Sequence, residues 1–574
     1  MVNVKNLFGM AVVATALVGC SSSDDLATDV KGNESKTEAA YAKFTIQLPT
    51  VSGTRAVDPN TGADFNGGTA DEYAVKDAQL LIFQKSGGSE GDYKFVETVN
   101  IGNLEPWTDN TPNTGVTRYA NITAQLNGVS LDKTGNEYFA LIILNNEGES
   151  KVKLPTSGTY SAWNVANNAK SAADFLNSDN GFYMANAPQY STGEPTTLVP
   201  IKGVYSTKAE AQTNPATTVF VERGMAKVTV NGSDFTIDDA SSTYNTDQVK
   251  INQWTLDVLN KSTFPVHVTT GLKTDFSDIW TTPRFVATGS TPQRVYWGKD
   301  PNYNKSTLTT VEECQKEFYI VDNNGKTYNG DASSTFTWSE KTTPLYCLEN
   351  TFDLDNMKQG QTTRVVFKAT YTPHDLTGTD KTFFMIGNNT QIWTKAALVE
   401  QITSKAKEML KSTGVVVTIN TDAPLLKGGS HLLSAADVTI KDGEVDKTAA
   451  FDYATLNTKL GLKNTEMDAN NNPKVGIKTY ENGECYYIAR IKHFNELTPW
   501  ASGQIYGTDN ATYLGRYGVL RNNWYDLTVS KVSAPGYPDV PVVNPDVPDD
   551  EDTKYINVEV KILDWAMRKQ QVDL

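Results

Sequence analysis

Four histidines, His267, His374, His431 and His493, are the only imidazoles available for acid–base or metal chemistry. No two lie at metal-ligand spacing, so each reads as a surface or packing residue. Three cysteines, Cys314, Cys347 and Cys485, are far apart and form no CxxC pair. At most one disulfide fits them, with one thiol left over, and neither a disulfide nor a metal site is favoured. P-loop, HExxH and a GxGxxG following a strand are all missing from the sequence. The 67 acidic residues offer many carboxylates, but nothing singles out a pair of the kind that hydrolyses glycosides. Tyr486-Tyr487 and Trp500 could stack on a sugar, although tyrosines more often pack in sandwich cores and edges. The chain is expected to be no enzyme and to hold no cofactor or metal.

Chemistry done to the chain is another matter. Lys5 precedes an apolar run, 7–17, that is too short to cross a bilayer, and the run closes in Leu17-Val18-Gly19-Cys20. Small residues before a cysteine resemble the lipobox of bacterial lipoproteins, which implies that 1–19 is a signal peptide and that the Cys20 thiol is acylated. Each buried acyl CH₂ anchors by about 0.8 kcal/mol, so several chains hold firmly. Ser21-Ser22-Ser23-Asp24-Asp25 resembles the surface-export signal of Bacteroidetes lipoproteins. A net charge of −16 argues against nucleic acid, whose phosphates need clustered Lys and Arg.

The elements that carry these sites are mostly strands. After a polar tether at 21–40, Phe44, Ile46 and Leu48 alternate with Lys43, Thr45 and Gln47. That strand ends at Pro49, before a loop containing Arg55 and Ala56. Buried strands are expected at 78–83 (AQLLIF) and 138–144 (YFALIIL), and 219–230 reads as two strand halves around a bulge at Gly224. The first domain boundary is placed near 235. Further strands are read at 253–258, 363–371 and 485–491. One helix is read at 393–411, with Leu398, Ile402, Ala406, Met409 and Leu410 on one face and Gly414 placed to end it.

The C-terminus changes character. Pro535, Pro538, Pro541, Pro545 and Pro548 recur through 533–553 and four acidic residues follow, which reads as an extended polyproline linker spanning at most about 60 Å. Beyond it, Ile556, Val558, Val560 and Ile562 alternate with Asn557, Glu559 and Lys561. A lone strand is not stable by itself and must add to a sheet.

Here the sequence resembles the major fimbrial subunits of Bacteroidales, specifically the Mfa-type fimbrilin of the type V pilus. The resemblance is carried by Tyr486-Tyr487-Ile488-Ala489-Arg490-Ile491-Lys492-His493-Phe494, Leu497-Thr498-Pro499-Trp500 and the run 514–525 (LGRYGVLRNNWY), together with the proline-rich segment and terminal strand. Segments 221–230, 254–266 and 346–351 are similar as well. The resemblance implies a mainly β fold, with two transthyretin-like β-sandwich domains, a few decorating helices and a C-terminal donor strand. It also implies cleavage by an Arg-specific protease, which maps to Arg55 with Ala56 as the new N-terminus. The expected organisation is a signal peptide at 1–19, a lipidated propeptide at 20–55, an N-terminal sandwich at 56–235 and a C-terminal sandwich with insertions at 236–532. The linker at 533–553 and a donor strand at 554–574 complete it.

Cleavage discards Phe44, Ile46 and Leu48. At about 1.5–3 kcal/mol per large apolar side chain, roughly 5–9 kcal/mol of burial is left unmade, and the donor residues Ile556, Val558, Val560 and Ile562 of a neighbour can replace it. Such a contact is head-to-tail and builds a filament. The expected protein is a shaft subunit of a cell-surface fimbria, its precursor held in the outer membrane by lipid. Its expected partners are copies of itself, the processing protease, anchor and tip accessory subunits, and host or bacterial surface receptors, with adhesion and biofilm formation as the family's roles. The rival reading is a monomeric surface lipoprotein that binds glycans.

Overall fold

In the computed structural model the runs that alternate or stay apolar in the sequence are strands. The structure describes residues 39–49 and 69–568, save for 105–107, 110–115, 132–136, 167–171, 177–178, 233, 278–279, 281–284, 287–291, 335, 469–471, 494–512, 552–555 and 565. Cys20, Arg55, Ala56 and Trp500 therefore lie outside the described residues.

The N-terminal half is built on one nine-stranded sheet. Its main strands are β1 (Ala40–Pro49), β2 (Ala78–Gln84), β3 (Lys94–Asn100), β4 (Val116–Leu126), β5 (Tyr138–Leu144), β6 (Met184–Asn186) and β7 (Thr217–Arg223), in the order β3-β2-β5-β6-β7-β1-β4. The sheet folds over so that Phe44, Ile46 and Val219 on one side meet Leu80, Ile82 and Ile142 on the other in a single core. β5 is buried along its whole length, as its unbroken apolar run requires. Its second face packs on Tyr160, Trp163 and Phe175.

The C-terminal half is a sandwich of two five-stranded sheets. One contains β8 (Met225–Asn231), β10 (Leu345–Leu348), β13 (Trp524–Val532), β14 (Ile556–Asp564) and β15 (Ala566–Arg568), in the order β10-β8-β13-β14-β15. The other is centred on β9 (Gln248–Asp257), β11 (Arg364–Thr372) and β12 (Glu484–Arg490). Val228, Trp254, Phe367, Tyr487 and Leu527 fill the space between them. The mainly β class expected from the sequence is what the chain adopts.

Gly224 is not a bulge within one strand. β7 belongs to the first sheet and β8 to the second, so the chain changes sandwich there and not near 235. A Cβ at Gly224 would meet the rings of Phe175 and Tyr183 at 3.0 Å, which is why the crossover takes a glycine. The helix expected at 393–411 is α2 (Lys395–Leu410), following a short α1 (Ala70–Tyr73) near the N-terminus. Thr394 caps α2, and Leu398, Ile402 and Ala406 are buried in a separate core of the segment that joins β11 to β12 in sequence. The helix closes on Lys411 in the left-handed conformation, before Gly414 is reached.

Candidate assembly site

β1 sits inside the sheet, with a neighbour on each side. It pairs antiparallel with β4 from Ala40↔Leu126 to Pro49↔Val116 and parallel with β7 from Phe44↔Thr217 to Gln47↔Phe220. Its period of two follows from the pleat. Ala40, Ala42, Phe44, Ile46 and Leu48 are all within 2% of complete burial, while Tyr41, Lys43, Thr45 and Gln47 lie on the other face. Thr45 donates to the Asn121 side chain at 2.7 Å, and Tyr41 exchanges two backbone hydrogen bonds with Tyr205 at 2.8 Å. Without β1, an apolar channel would open between β4 and β7, with free N–H and C=O groups along both walls.

Chemically, this site can recognise one thing: another extended strand with an apolar face. Phe44, Ile46 and Leu48, which alternate in the sequence, share the buried face. The alternation missed Ala40 and Ala42, which extend the buried face by two positions, because alanine carries little hydrophobic signal.

The chain that follows Arg55 in sequence is rooted by α1. The Glu72 carboxylate meets the Lys227 ammonium at 2.6 Å and accepts from the Tyr346 hydroxyl at 2.7 Å, and its carbonyl accepts from Arg223 Nε at 2.7 Å. Burial works to raise this carboxyl, but Lys227 and Tyr346 outweigh it and hold the group below its usual range. Arg223 and Lys227 are on β7 and β8, so the anchor straddles the crossover between sandwiches.

The terminal strand is β14, and it adds to its own C-terminal sheet. It pairs antiparallel with β13: Tyr525↔Ile562, Leu527↔Val560, Val529↔Val558 and Val532↔Ile556. Those four β13 residues are buried in the sandwich core. Among the described residues β14 is followed by β15, a hairpin partner of three residues.

The proline-rich segment is packed along the domain over 534–550. Val540 and Val543 are buried, and Pro535, Pro538 and Pro545 are buried with them. Polyproline backbone makes no internal hydrogen bonds, so its carbonyls are open to side-chain donors. Tyr487 donates to Ala534 at 3.0 Å, Tyr480 to Gly536 at 2.9 Å and the buried Arg364 to Pro541 at 2.5 Å. Tyr537 forms a two-bond bridge with Tyr486. Val540 and Tyr537 pack with Val366, Tyr486 and Ile488, residues of β11 and β12 that face away from the sandwich core. The segment is thus a third layer over that sheet, and the expectation of an extended linker is corrected.

At its end, the fully buried Asp549 accepts from Thr362 Oγ1 at 2.9 Å, and its carbonyl accepts from Arg490 Nε at 2.8 Å. Asp550 accepts from the Tyr517 hydroxyl, with Arg516 at 3.4 Å. Burial, reinforced by Asp468, pushes the Asp539 carboxyl up to about 7.

Residues 478–571 match the family model described as "Major fimbrial subunit protein type IV, Fimbrillin, C-terminal". The C-terminal region is similar to that family's C-terminal model. The match spans β12, β13, the proline-rich layer and β14, the stretch that carried the resemblance in the sequence. Among curated proteins none matches.

Three solved structures illustrate how loosely the whole chain superposes on others. A fimbrilin of Porphyromonas gingivalis W83 is 12% identical, with 94% of this chain and 99% of that one covered, at a TM-score of 0.38. A candidate cell adhesion protein of Parabacteroides distasonis ATCC 8503 is 12% identical, with 93% and 99% covered, at 0.36. The tip fimbrial protein Mfa3 of Porphyromonas gingivalis is 10% identical, with 92% and 100% covered, at 0.26. At such scores these likenesses carry no argument.

Within the fimbrillin region, Tyr486 and Tyr487 are 4% and 1% exposed, so they are packing residues and not a sugar platform. His493 is buried against the Tyr525 hydroxyl at 2.8 Å. Outside it, His267 is buried between Glu222 at 3.0 Å and Glu349 at 3.3 Å, which Arg294 and Arg521 brace at 3.1 and 3.3 Å. Glu222 lies on β7 and the other four in the C-terminal half, so this cluster joins the two sandwiches. His374 binds the buried Asp247 at 2.6 Å, an interaction that raises its pKa, and His431 Nε2 lies 2.9 Å from the Lys427 carbonyl. Cys314, Cys347 and Cys485 are buried free thiols, and burial pushes each up to about 12. Among the described residues no group of His, Cys, Asp and Glu is arranged to hold a metal ion.

Proposed function

We propose that this protein is a structural shaft subunit of a cell-surface fimbria that polymerises by strand exchange. The observation that carries the reading is β1, a central strand with one face buried, whose covalent link to the rest of the sheet runs through 50–68 and hence through Arg55. Cutting after Arg55 makes β1 a separate peptide, held only by its ladders and its apolar face. Once it leaves, the Ile556, Val558, Val560 and Ile562 face of a neighbouring subunit's β14 fits the vacated channel by length and by alternation.

In this reading Cys20 is lipidated and carries the precursor to the outer membrane. The propeptide 20–55 supplies β1 as a placeholder, and an Arg-specific protease exposes Ala56. The partners are further copies of the chain, with anchor and tip subunits at the ends and surface receptors beyond. Adhesion and biofilm formation would follow from the fibre.

The test is a gel. Protease-treated wild type should give SDS-resistant ladders that collapse on boiling, whereas Arg55→Ala should remain a full-length, lipid-anchored monomer. Long fibres from Arg55→Ala would overturn the cleavage step.

A further inference from the structure

The proline-rich layer carries a consequence for how two subunits meet. A free linker of that length would let β14 reach a neighbour from up to about 60 Å away. Instead the chain is held at Ala534, Gly536, Tyr537, Val540, Pro541 and Asp549, and two of the donors that hold it, Arg364 and Thr362, are themselves buried. Arg364 is braced by the equally buried Asp257 at 2.8 Å. Asp549 and Asp550 close the strap just ahead of β14, which starts at Ile556. Six residue steps of extended chain cover only about 20 Å.

We propose that 534–550 is a fixed strap of the C-terminal domain in monomer and fibre alike. Resting on the strand-exchange reading, it roots the donor strand at Asp550. A second copy must therefore bring the mouth of its β4–β7 channel to within about 20 Å of that root, which Thr362, Arg490, Arg516 and Tyr517 hold from inside the domain. Strand exchange and close approach of the two subunits become one event, and the fibre gains a defined spacing that a loose tether would not give.

Two insertions of the same six Gly/Ser residues separate a rooted arm from a tethered one. Placed after Asp552, between root and strand, the insertion should lengthen or scatter the axial repeat seen by electron microscopy and weaken SDS resistance. Placed after the exposed Asp546 within the strap, it should loop out and leave the repeat unchanged. Equal lengthening from both insertions overturns the proposal.

Hydrogen exchange on the cleaved wild-type monomer is the second arm. Strap amides that donate within the protein, such as Tyr537, Val540 and Asp549, should be protected to within about tenfold of those in β13; exchange at the rate of free chain overturns the proposal. If cleaved wild type forms no fibre, the strand-exchange reading fails, and the exchange data still decide whether the strap is fixed.

Discussion

β1 and β14 are strands of nearly equal length, ten and nine residues, with the same alternation, yet the molecule holds them differently. β1 has a ladder on both sides, one antiparallel and one parallel. Among the described residues β14 has one long ladder, to β13, and on its outer side the three residues of β15. A strand like β14 that moves into the vacant β1 channel exchanges a sheet edge for a sheet interior. It gains a second wall of backbone partners. The direction of the proposed exchange thus follows from topology, because intrinsic strand character is alike in the two segments.

The largest effect should come from removing one contender. Deleting 554–574 should abolish the SDS-resistant ladder while leaving a folded monomer, since among the described residues β8, β9, β11, β12 and β13 supply most of the C-terminal core. Circular dichroism of the deleted monomer checks the second half of that statement. A ladder from the deletion would mean that some other segment fills the channel.

Phe44→Ala sharpens the comparison. In the uncleaved precursor it removes a large, fully buried side chain and should cost about 3–5 kcal/mol in denaturant unfolding of the N-terminal sandwich. In the cleaved fibre the same substitution should cost nothing, because the strand that carries it has gone. A fibre that is destabilised as much as the precursor would show that β1 stays in place.

Strands were legible in the sequence wherever periodicity exposed them. Phe44, Ile46 and Leu48 announced β1, 138–144 announced a strand buried on both faces, and the alternation after Tyr555 announced β14. What was not legible depends on distant partners. Proline spacing specifies an extended backbone but says nothing of what it lies on, and the donors that hold the strap, Arg364, Tyr480 and Tyr487, are more than forty residues away in sequence. His267 gave no local pattern, because the carboxylates on either side of it come from β7 and from Glu349. The crossover at Gly224 reads as a bulge until the sheets are known, since two strand halves around a glycine describe either case.

A smaller effect tests whether the root of β14 is as firm as that of β1. Thr362→Val removes the hydroxyl that donates to the buried Asp549 and should lower monomer stability by about 1 kcal/mol, read as a shift in the denaturant midpoint. Ladders should still form, since the strand itself is untouched, but their axial repeat should become less uniform. An unchanged midpoint would mean that Thr362 contributes nothing to holding the strap.

The smallest effect is a pH dependence in the strap. Burial, with Asp468 adding to it and Lys478 opposing it, lifts the Asp539 carboxyl to about 7, against an ordinary value of about 4. A folded-state pKa above the unfolded one means that the folded protein holds the proton more tightly. The group's contribution is then complete below about pH 4, declines as pH rises, and is gone once pH passes about 7. Glu90 and Asp300, also pushed up to about 7 by burial, add the same sign elsewhere, so a wild-type profile alone would not isolate the strap. The difference between wild type and Asp539→Asn does isolate it. Asparagine keeps the shape of the protonated acid without the charge, so the variant should match wild type near pH 4.5 and exceed it in melting temperature near pH 8. A difference that is flat across that range would mean that Asp539 ionises without strain and that the strap is looser at this point than its buried neighbours Pro538 and Val540 require.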